Sequence, residues 1–458
     1  MKILILGAGQ VGSSAAYHLS REEANEVTVV DRRADILREL QDRLDIRTVV
    51  GHAAYPDVLD RAGAKDADIV VALTDTDETN MVACQIAYTA FRTPTKIARI
   101  RSAEYMNANQ LFTQDAIPID VRISPEQLVC SHIEQLILYP GSSQVLDFAD
   151  GRVRLVGAKA DREGLLVGQR IATLKDHIPN TEGRIAAIYR EGKAMLPKGD
   201  TVIQEGDEVF FIADRKDVRV FMSEMRRLED PVRRVVIAGG GNIGVRLALA
   251  LEQTNQVKII ERDPIRARRI SEQLNKAIVL VGDAADEELL IEENIDNVDV
   301  FCALTNSEEA NILSSMLSKR LGAHKVMALI NRASYVDLVE AGSIDIAISP
   351  QQITIGSLLS HVRRGDVVKV HSLRRGAAEA MEAIAHGDKD SSKVVGRTIE
   401  EVELPKGTAI IAIVRGEQVI IAHHDTMIES DDHVILFMTD RRKIEHLESL
   451  FQVGVSFV

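Results

Sequence analysis

A glycine-rich loop of the pattern GxGxxG occurs twice in this chain, about 230 residues apart. Each copy follows a short apolar run, Lys2–Leu6 or Arg234–Ala238, and enters a helical pattern. A single loop of this kind is a weak signal, but two copies in register predict two nucleotide-binding units of the Rossmann type. The loop residues are Gly7, Ala8, Gly9, Gln10, Val11 and Gly12 in the first copy, and Gly239, Gly240, Gly241, Asn242, Ile243 and Gly244 in the second.

The repeat extends well beyond the loops. Each copy contains six β-like runs in the same order, and helical patterns separate most of them. Such alternation is typical of parallel sheets covered on both faces, so we predict an α/β fold with two Rossmann-like, doubly wound parallel-sheet domains. The runs span 3–6, 27–30, 48–50, 69–73, 97–100 and 117–123 in the first copy, and 235–238, 257–260, 278–281, 300–304, 326–330 and 344–348 in the second.

Two shorter segments follow the two units and also match each other. Val167 and Gly168 in the first correspond to Val395 and Gly396 in the second, and both segments alternate short strands with Gly and Asp turns. This pattern predicts that each Rossmann-like domain is followed by a smaller α+β domain, with a polar linker at 226–233. We therefore predict four domains, produced by one duplication, at 1–124, 144–228, 233–349 and 369–453.

The glycine loops predict a binding site for phosphate groups. In this motif the first glycine permits a tight turn, the second lets the main chain approach a pyrophosphate, and the third lets the helix pack against the strand. The N–H groups and dipole at the start of the helix favour an anion without a basic side chain. The uncharged Gln10 and Asn242 in the two loops are consistent with this.

An acidic residue ends the second β-like run of each copy. Asp31 follows the last loop glycine by 19 residues, and Glu261 follows its counterpart by 17. A carboxylate here can accept hydrogen bonds from ribose hydroxyls and repels a 2′-phosphate, so NAD(H) or an adenosine nucleotide is predicted in preference to NADP(H). Arg32, Arg33 and Arg262 would weaken that exclusion. The alternative is that both acids are ordinary solvated surface groups.

Polar pairs follow the fourth β-like run of each copy, at the edge of the sheet where ligands of such folds bind. We predict that these pairs contact ribose or phosphate, with a helix N-cap role as the alternative. They are Thr74 and Asp75 in the first copy, and Thr305 and Asn306 in the second.

Two arginines distinguish the first copy from the second. Arg99 and Arg101 lie two apart on the predicted fifth strand, so their side chains should share a face and could hold phosphates. The alternative is that they are exposed groups at a strand end. Leu329 and Asn331 occupy the equivalent positions. We therefore expect the first copy to bind polyphosphates or dinucleotides more tightly.

Composition excludes several other classes of protein. The net charge of −14 leaves no electrostatic basis for nucleic-acid binding, which depends on phosphate contacts. No apolar run approaches the roughly 20 residues that a membrane span needs, and Met1 to Leu6 fits a first strand better than a signal peptide, which favours a cytoplasmic location. The three cysteines lack CxxC spacing, so we expect buried thiols.

Catalytic groups are not recognisable beside the predicted nucleotide sites. A hydride-transfer enzyme needs a positioned acid or base, and an ATPase of the P-loop type needs a Gly-Lys-Ser/Thr motif; the sequence indicates neither. Two similar sites with two similar appended domains favour a regulatory sensor rather than an enzyme. The alternatives are an NAD-dependent oxidoreductase with duplicated Rossmann domains and a nucleotide-sensing scaffold for a soluble partner.

Longer stretches of sequence resemble the TrkA family, the cytosolic nucleotide-binding subunits of bacterial Trk potassium-uptake systems, within the wider RCK (KTN) family. They are MKILILGAGQVG, LTDTDETNMVACQ, KIARIRS and ISPEQLV in the first half, and GGGNIG, VGDAADEELL, ISPQQ and HSLRRG in the second. The resemblance runs from end to end. It implies two RCK_N and two RCK_C domains, a homotetrameric gating ring, and docking of this peripheral protein on a potassium-translocating membrane subunit at the cytoplasmic face of the inner membrane.

The resemblance also implies ligands. The NAD-binding pattern of the family falls on Gly7 to Val11, Asp31, Thr74, Asp75 and Arg99, and on Gly239 to Ile243 with Glu261 in the second copy. It implies NAD(H) and ATP or ADP as ligands that change how the lobes pack across the ring. In related RCK proteins an acid after Ser-Pro helps to bind a divalent cation; that position is Glu126 in the first copy and Gln351 in the second, with an ordinary helix-start glutamate as the alternative.

Overall fold

The computed structural model describes residues 1–22, 25–332, 335, 342–362, 367–373, 378–440 and 443–452. The chain divides into two compact units. The first comprises Met1–Val129 and Ser349–Val362, and the second comprises Cys130–Ile348 and Arg363–Val458. This division follows packing rather than chain order, and the four domain limits given above stay predictions.

The first unit contains a six-stranded parallel sheet, which we call the first lobe, in the order β3-β2-β1-β4-β5-β6. Its central strands are apolar and buried on both faces because helices cover both sides. The strands are β1 Lys2–Leu6, β2 Glu26–Asp31, β3 Arg47–Val50, β4 Ile69–Ala72, β5 Thr95–Arg99 and β6 Val121–Ile123. The helices are α1 Gln10–Leu19, α2 Ala34–Arg43, α3 Pro56–Arg61, α4 Asp77–Phe91 and α5 Ala103–Asn107, and α6 follows at Pro125–Leu138.

The second unit contains a parallel sheet with the same order, β14-β13-β12-β15-β16-β17, which we call the second lobe. In each lobe the first strand, β1 or β12, lies at the centre, and later strands are added first on one side of it and then on the other. This change in strand order defines the doubly wound topology and leaves a crevice at the carboxyl ends of the strands. The strands are β12 Arg234–Ala238, β13 Gln256–Glu261, β14 Ile278–Val281, β15 Val300–Ala303, β16 Lys325–Leu329 and β17 Ile346–Ile348. The helices are α9 Asn242–Leu251, α10 Pro264–Ser271, α11 Glu287–Glu292 and α12 Glu308–Arg320.

Two five-stranded sheets, with antiparallel pairing throughout, complete the second unit in the orders β10-β9-β11-β8-β7 and β18-β19-β22-β20-β21. The first sheet has β7 Ser142–Phe148, β8 Val153–Lys159, β9 Gly183–Arg190, β10 Lys193–Met195 and β11 Glu208–Asp214, with helices α7 Leu174–His177 and α8 Val218–Met225. The second has β18 Val367–Leu373, β19 Ala378–Ala385, β20 Thr408–Arg415, β21 Gln418–Ile421 and β22 Asp432–Met438, with a helix at Ile444–Leu450. The predicted fold class is confirmed.

The two antiparallel sheets are also copies of one another in detail. Arg190 holds Asp207 through two hydrogen bonds of 2.8 and 2.7 Å, and Arg415 holds Asp432 through two of 2.8 and 2.9 Å. One shared core contains residues of both sheets, including Phe148 and Phe437. The two small domains therefore bury apolar faces against each other.

A helix encoded after the second lobe belongs to the first unit. Pro350–Val362, which we label α13, packs on α1. Its residues Ile355, Leu358 and Leu359 join a core cluster with Ala15 and Leu19 of α1. The predicted domain limits assign this segment to no domain, because the apolar face of a helix does not specify which sheet it covers.

The sixth strand of each lobe is shorter than predicted. The expected runs 117–123 and 344–348 contain strands only at Val121–Ile123 and Ile346–Ile348. Before each strand an aspartate carboxylate accepts a main-chain N–H of the neighbouring fifth strand, with Asp120 bound to Lys96 N and Asp345 to Val326 N, both at 2.7 Å. The side chain thereby takes the N–H group of the fifth strand at this end. No helix in the described ranges has the length and apolarity required to cross a bilayer.

Candidate nucleotide-binding clefts

The first and last glycines of each loop are required by the fold. Gly7 and Gly239 adopt φ angles of +104° and +106°, a conformation that side chains disfavour. A Cβ atom on Gly12 would lie 1.9 Å from the carbonyl oxygen of Gly7, and one on Gly244 would lie 2.0 Å from that of Gly239. The tight turn and the close helix packing predicted for these positions are both present.

The middle glycines have a different environment. Gly9 and Gly241 have φ angles of −68° and −76°, which any residue can adopt, and no described atom lies within 4 Å of a Cβ built on either one. Neither residue therefore has a packing reason to be glycine. The open space above the main chain fits the close approach of a ligand.

The helices that follow the loops begin without a side-chain cap from the described part of the chain. Gly9 and Gly241 hold the N-cap positions of α1 and α9, so Gln10, Val11, Asn242 and Ile243 form first turns whose N–H groups are uncapped by a side chain. At the same edge α4 is capped by Thr76 and α12 by Ser307, whereas α2 and α3 also lack a side-chain cap. Free N–H groups at a helix start are a ready site for an anion.

The two acids hold the loops from the neighbouring strand. Asp31 accepts hydrogen bonds from Ala8 N at 2.7 Å and Arg33 N at 2.8 Å. Glu261 accepts from Gly240 N and Asp263 N, both at 2.9 Å. These contacts exclude an ordinary solvated role. Each carboxylate oxygen keeps a further lone pair, with which it can accept a hydrogen bond from a ribose hydroxyl.

A buried asparagine fixes the polar residue after the fourth strand of each lobe. In the first lobe Asn80 Oδ1 accepts from Thr74 N at 2.9 Å and from the Thr74 hydroxyl at 2.7 Å, and its Nδ2 donates to Arg99 O at 2.9 Å. Asn311 makes the same three contacts with Thr305 and Leu329, at 2.8, 2.7 and 3.0 Å. Each asparagine lies six residues after its threonine, and this equal spacing in the two copies is the sequence signal that points to the role.

The predicted polar pairs are not helix caps. Thr76 and Ser307 provide the capping oxygens, one residue after Asp75 and Asn306. Thr305 and Asn306 line the second cleft, and Asp75 is exposed and lies 3.5 Å from Arg32. The N-cap alternative is therefore wrong for these four residues, and their side chains lie at the carboxyl edge as the sequence predicted.

Arg99 lies at the end of β5 with an incompletely satisfied guanidinium. It donates to Thr74 O, and its Nε is buried without a hydrogen-bond partner in the described part of the chain. Burial and the nearby charge of Arg101 lower the pKa of Arg99. An anionic ligand would relieve both effects.

Arg101 does not share the strand with Arg99 as predicted. Strand β5 ends at Arg99, because the Asp77 carboxylate at the start of α4 accepts the N–H groups of Arg101 at 3.0 Å and Ser102 at 2.8 Å. The Arg101 side chain instead forms an ion pair with Glu126 at 3.0 Å. In the second lobe Glu308 repeats the carboxylate contact, with Arg332 N at 2.8 Å.

The second lobe forms a cleft of about 260 Å³ at the predicted edge. Its basic residues lie on the ribose side, where Arg262 and Arg266 line the wall and Arg266 lies 3.9 Å from Glu261. Leu329, at the position of Arg99, is buried. The arginine at the end of the fifth strand is therefore specific to the first lobe, whereas arginines follow the acid in both lobes, Arg32 and Arg33 in the first and Arg262 in the second. The remaining lining includes Gly239, Gly241, Asp283, Leu304 and Ser314.

Metal and thiol chemistry find little support in the described ranges. There, no group of three or more His, Cys, Asp and Glu side chains is placed to hold a metal ion. Glu126 is occupied by Arg101, and Gln351 of α13 donates to Gln10 O at 3.2 Å and to the Ser14 hydroxyl. Cys84 and Cys302 are buried, which raises the pKa of each to about 12.

Taken together, the sheet order and the clefts define a duplicated Rossmann-type protein with two candidate nucleotide sites. The TrkA-N domain model matches residues 3–125 and 235–350, and the TrkA-C domain model matches 155–226 and 389–452. The chain belongs to the TrkA family.

Curated relatives agree over the whole length. The Trk system potassium uptake protein TrkA of Halomonas elongata is 61% identical, and that of Vibrio alginolyticus is 57% identical, with 100% of each chain covered in both comparisons. Among solved structures, the GsuK RCK domain aligns with a TM-score of 0.61 at 18% identity, covering 98% of this chain and 94% of that one. The GsuK channel bound to NAD also aligns with a TM-score of 0.61 at 18% identity, covering 98% and 78%. At this identity the structural matches establish the fold.

Proposed function

We propose that this protein is the nucleotide-sensing regulatory subunit of a potassium-uptake system. It binds NAD(H) and ATP or ADP in the two clefts and transmits nucleotide state to a separate potassium-translocating membrane subunit. Regulation requires only that a ligand binds two packing states with different affinity, and about 1.4 kcal/mol of difference shifts the equilibrium tenfold.

The observation that carries this proposal is the repeated combination of an uncapped helix start, an open middle glycine and a loop-holding acid. Each lobe has all three, at α1 with Asp31 and at α9 with Glu261. The combination suits the pyrophosphate and ribose of a dinucleotide or the phosphates of ATP. Curated relatives named as potassium uptake proteins supply the physiological context.

A regulatory role fits the clefts better than hydride transfer. The groups beside the glycine loops hold the main chain or one another, as Asn80 holds Thr74, rather than standing free as a general acid or base. We propose a non-enzymatic protein on this basis. Incubation of the pure protein with NADH and a panel of carbonyl compounds tests the oxidoreductase alternative, because sustained NADH oxidation would contradict the proposal.

Assembly and location form part of the proposal. We propose a homotetrameric ring, peripheral on the cytoplasmic face of the inner membrane, and native mass spectrometry of the full chain tests the subunit number. A divalent cation at Glu126 would require the carboxylate to exchange Arg101 for the metal. Nucleotide titrations with and without Mg²⁺, repeated in Glu126→Gln, test that step.

The decisive experiment combines flux with cleft-specific variants. The protein and its membrane subunit are reconstituted in liposomes, and potassium flux is measured with NAD, NADH, ATP and ADP in turn. Gly9→Ala and Gly241→Ala each place a methyl group in the open space of one cleft without a clash in the protein. We expect each variant to lose part of the nucleotide response and the double variant to lose all of it. Flux that never depends on nucleotide would overturn the proposal.

A further inference from the structure

One ligand-facing position differs in chemical polarity between the two clefts. It is the residue after the glycine that follows the third strand, His52 in the first lobe and Asp283 in the second. Gly51 N donates to Asp31 O at 2.9 Å, and Gly282 N donates to Glu261 O at 3.1 Å. Each position therefore adjoins the acid expected at the ribose, and the base of a nucleotide is attached to that same ribose.

His52 and Asp283 perform the same local task. His52 Nδ1 accepts the N–H of Ala54 at 3.2 Å, and Asp283 Oδ1 accepts the N–H of Ala285 at 2.9 Å. These contacts close equivalent turns, which explains why both side chains are held at the cleft. Asp283 lines the second cleft, and the repeat places His52 at the matching wall of the first.

The side-chain atoms of His52 and Asp283 that do not take part in these turns have opposite hydrogen-bonding character. A neutral histidine whose Nδ1 accepts a hydrogen bond carries its proton on Nε2, so His52 offers a donor. Asp283 offers its second carboxylate oxygen, which only accepts. His52 is also one ring of a stacked pair with Tyr55, whose centroid lies 4.7 Å away at an interplanar angle of 29°. Tyr55 is 57% exposed, and its counterpart Asp286 caps α11.

We propose that the two clefts differ in their selectivity for the purine base of a nucleotide. Asp283 makes the second lobe selective for a base with an exocyclic amino group, as in adenine, because a 6-keto oxygen would face the carboxylate. The His52–Tyr55 pair makes the first lobe a stacking surface with a donor, which accepts adenine and hypoxanthine alike. This inference rests on the proposed nucleotide binding and adds base selectivity to it.

Binding measurements on the full chain separate the two clefts. Gly9→Ala leaves the second cleft as the intact one, and Gly241→Ala leaves the first. Calorimetric titrations compare ATP with ITP, and NADH with nicotinamide hypoxanthine dinucleotide, in each background. We expect the second cleft to prefer the adenine compound about tenfold or more, and the first cleft to differ by less than about threefold, because sites that hydrogen-bond a donor reject analogues lacking it.

Substitutions then transfer the preference. In the Gly9→Ala background, Asp283→Asn keeps an oxygen for Ala285 N and adds a donor, so the adenine preference should collapse. In the Gly241→Ala background, His52→Asp should give the first cleft a preference for the adenine compound. Glu292→Gln, an exposed change on α11, is the matched control and should alter neither ratio.

The outcomes distinguish this inference from the function on which it rests. Binding in both clefts with equal ratios of adenine to hypoxanthine affinity would overturn the base-reading assignment alone. A preference that survives Asp283→Asn would also overturn it. Absence of nucleotide binding to the unsubstituted protein would overturn the proposed function as well.

Discussion

The first and second lobes share the parts that build a nucleotide site and differ in the side chains that face it. Both have the positive-φ glycine, the helix without a side-chain cap, the loop-holding acid and the asparagine that fixes a threonine. They differ at Arg99 against Leu329 and at His52 against Asp283. Two copies of one scaffold thus present different charge and hydrogen-bonding groups, so we expect them to report on different ligands.

Substitutions in the glycine loops are expected to have the largest effect on the free energy of unfolding. Gly12→Ala and Gly244→Ala bring a Cβ to within 1.9 and 2.0 Å of a main-chain oxygen, so we expect losses of about 3 kcal/mol or more in the free energy of unfolding. Urea denaturation of each variant measures this. Gly9→Ala and Gly241→Ala are the matched controls and should change stability by less than about 1 kcal/mol. Equal destabilisation by all four would show that the middle glycines also serve packing.

The buried asparagines provide a second comparison. Asn80→Ala and Asn311→Ala each remove four hydrogen bonds and leave buried main-chain groups unpaired. We expect each to cost about 2–3 kcal/mol of stability and to weaken nucleotide binding in its own lobe. Denaturation and titration check the two effects. If one variant changed neither stability nor binding, the hydrogen bonds of the asparagine would not be equally important in both lobes.

Glu252 makes hydrogen bonds in the second lobe that have no counterpart in the described part of the first. It ends α9, where the first lobe has Ser20 at the end of α1. Burial raises the pKa of Glu252, but hydrogen bonds from Lys276 N, Ala277 N and Asn275 outweigh this and lower it to about 2, from 4.5 in the absence of such contacts.

Because the folded pKa is depressed, the stabilisation is fully present above pH 4.5 and is lost as the pH falls toward 2. We expect Glu252→Gln to destabilise the protein by about 1–3 kcal/mol at pH 7, and the difference from the parent to shrink as the pH falls through this range. Urea denaturation across pH measures it. A deficit independent of pH would assign the effect to packing rather than charge.

Arg99 gives the smallest expected effect and the most direct test of unequal sites. Arg99→Leu copies the second lobe, and we expect about a tenfold loss of affinity for ATP or NADH in the first cleft, since a charge-assisted hydrogen bond contributes about 1.5 kcal/mol or more. Arg101→Leu is the control, because that guanidinium is paired with Glu126. Titrations in the Gly241→Ala background provide the measurement. Equal losses for both would restore the paired role predicted from their spacing.

Most of the fold was predictable because its signals are local. Apolar runs such as Ile69–Ala72, with helical patterns between them, specify strands and helices wherever the chain places them. The prediction was wrong at the start of the sixth strands, where the Asp120 and Asp345 carboxylates take a main-chain N–H of the fifth strand, and at Arg101, where Asp77 ends the strand. Each error comes from a side chain distant in sequence that takes a main-chain partner.

The sequence by itself determined two doubly wound domains, two glycine loops and their acids, because turn geometry and strand periodicity depend on neighbouring residues. Only the tertiary structure decided that α13 covers α1, that Asn80 binds the carbonyl oxygen of Arg99 on the neighbouring strand, and that Arg101 pairs with Glu126. Those features depend on contacts between residues far apart in the chain, and no local pattern encodes them.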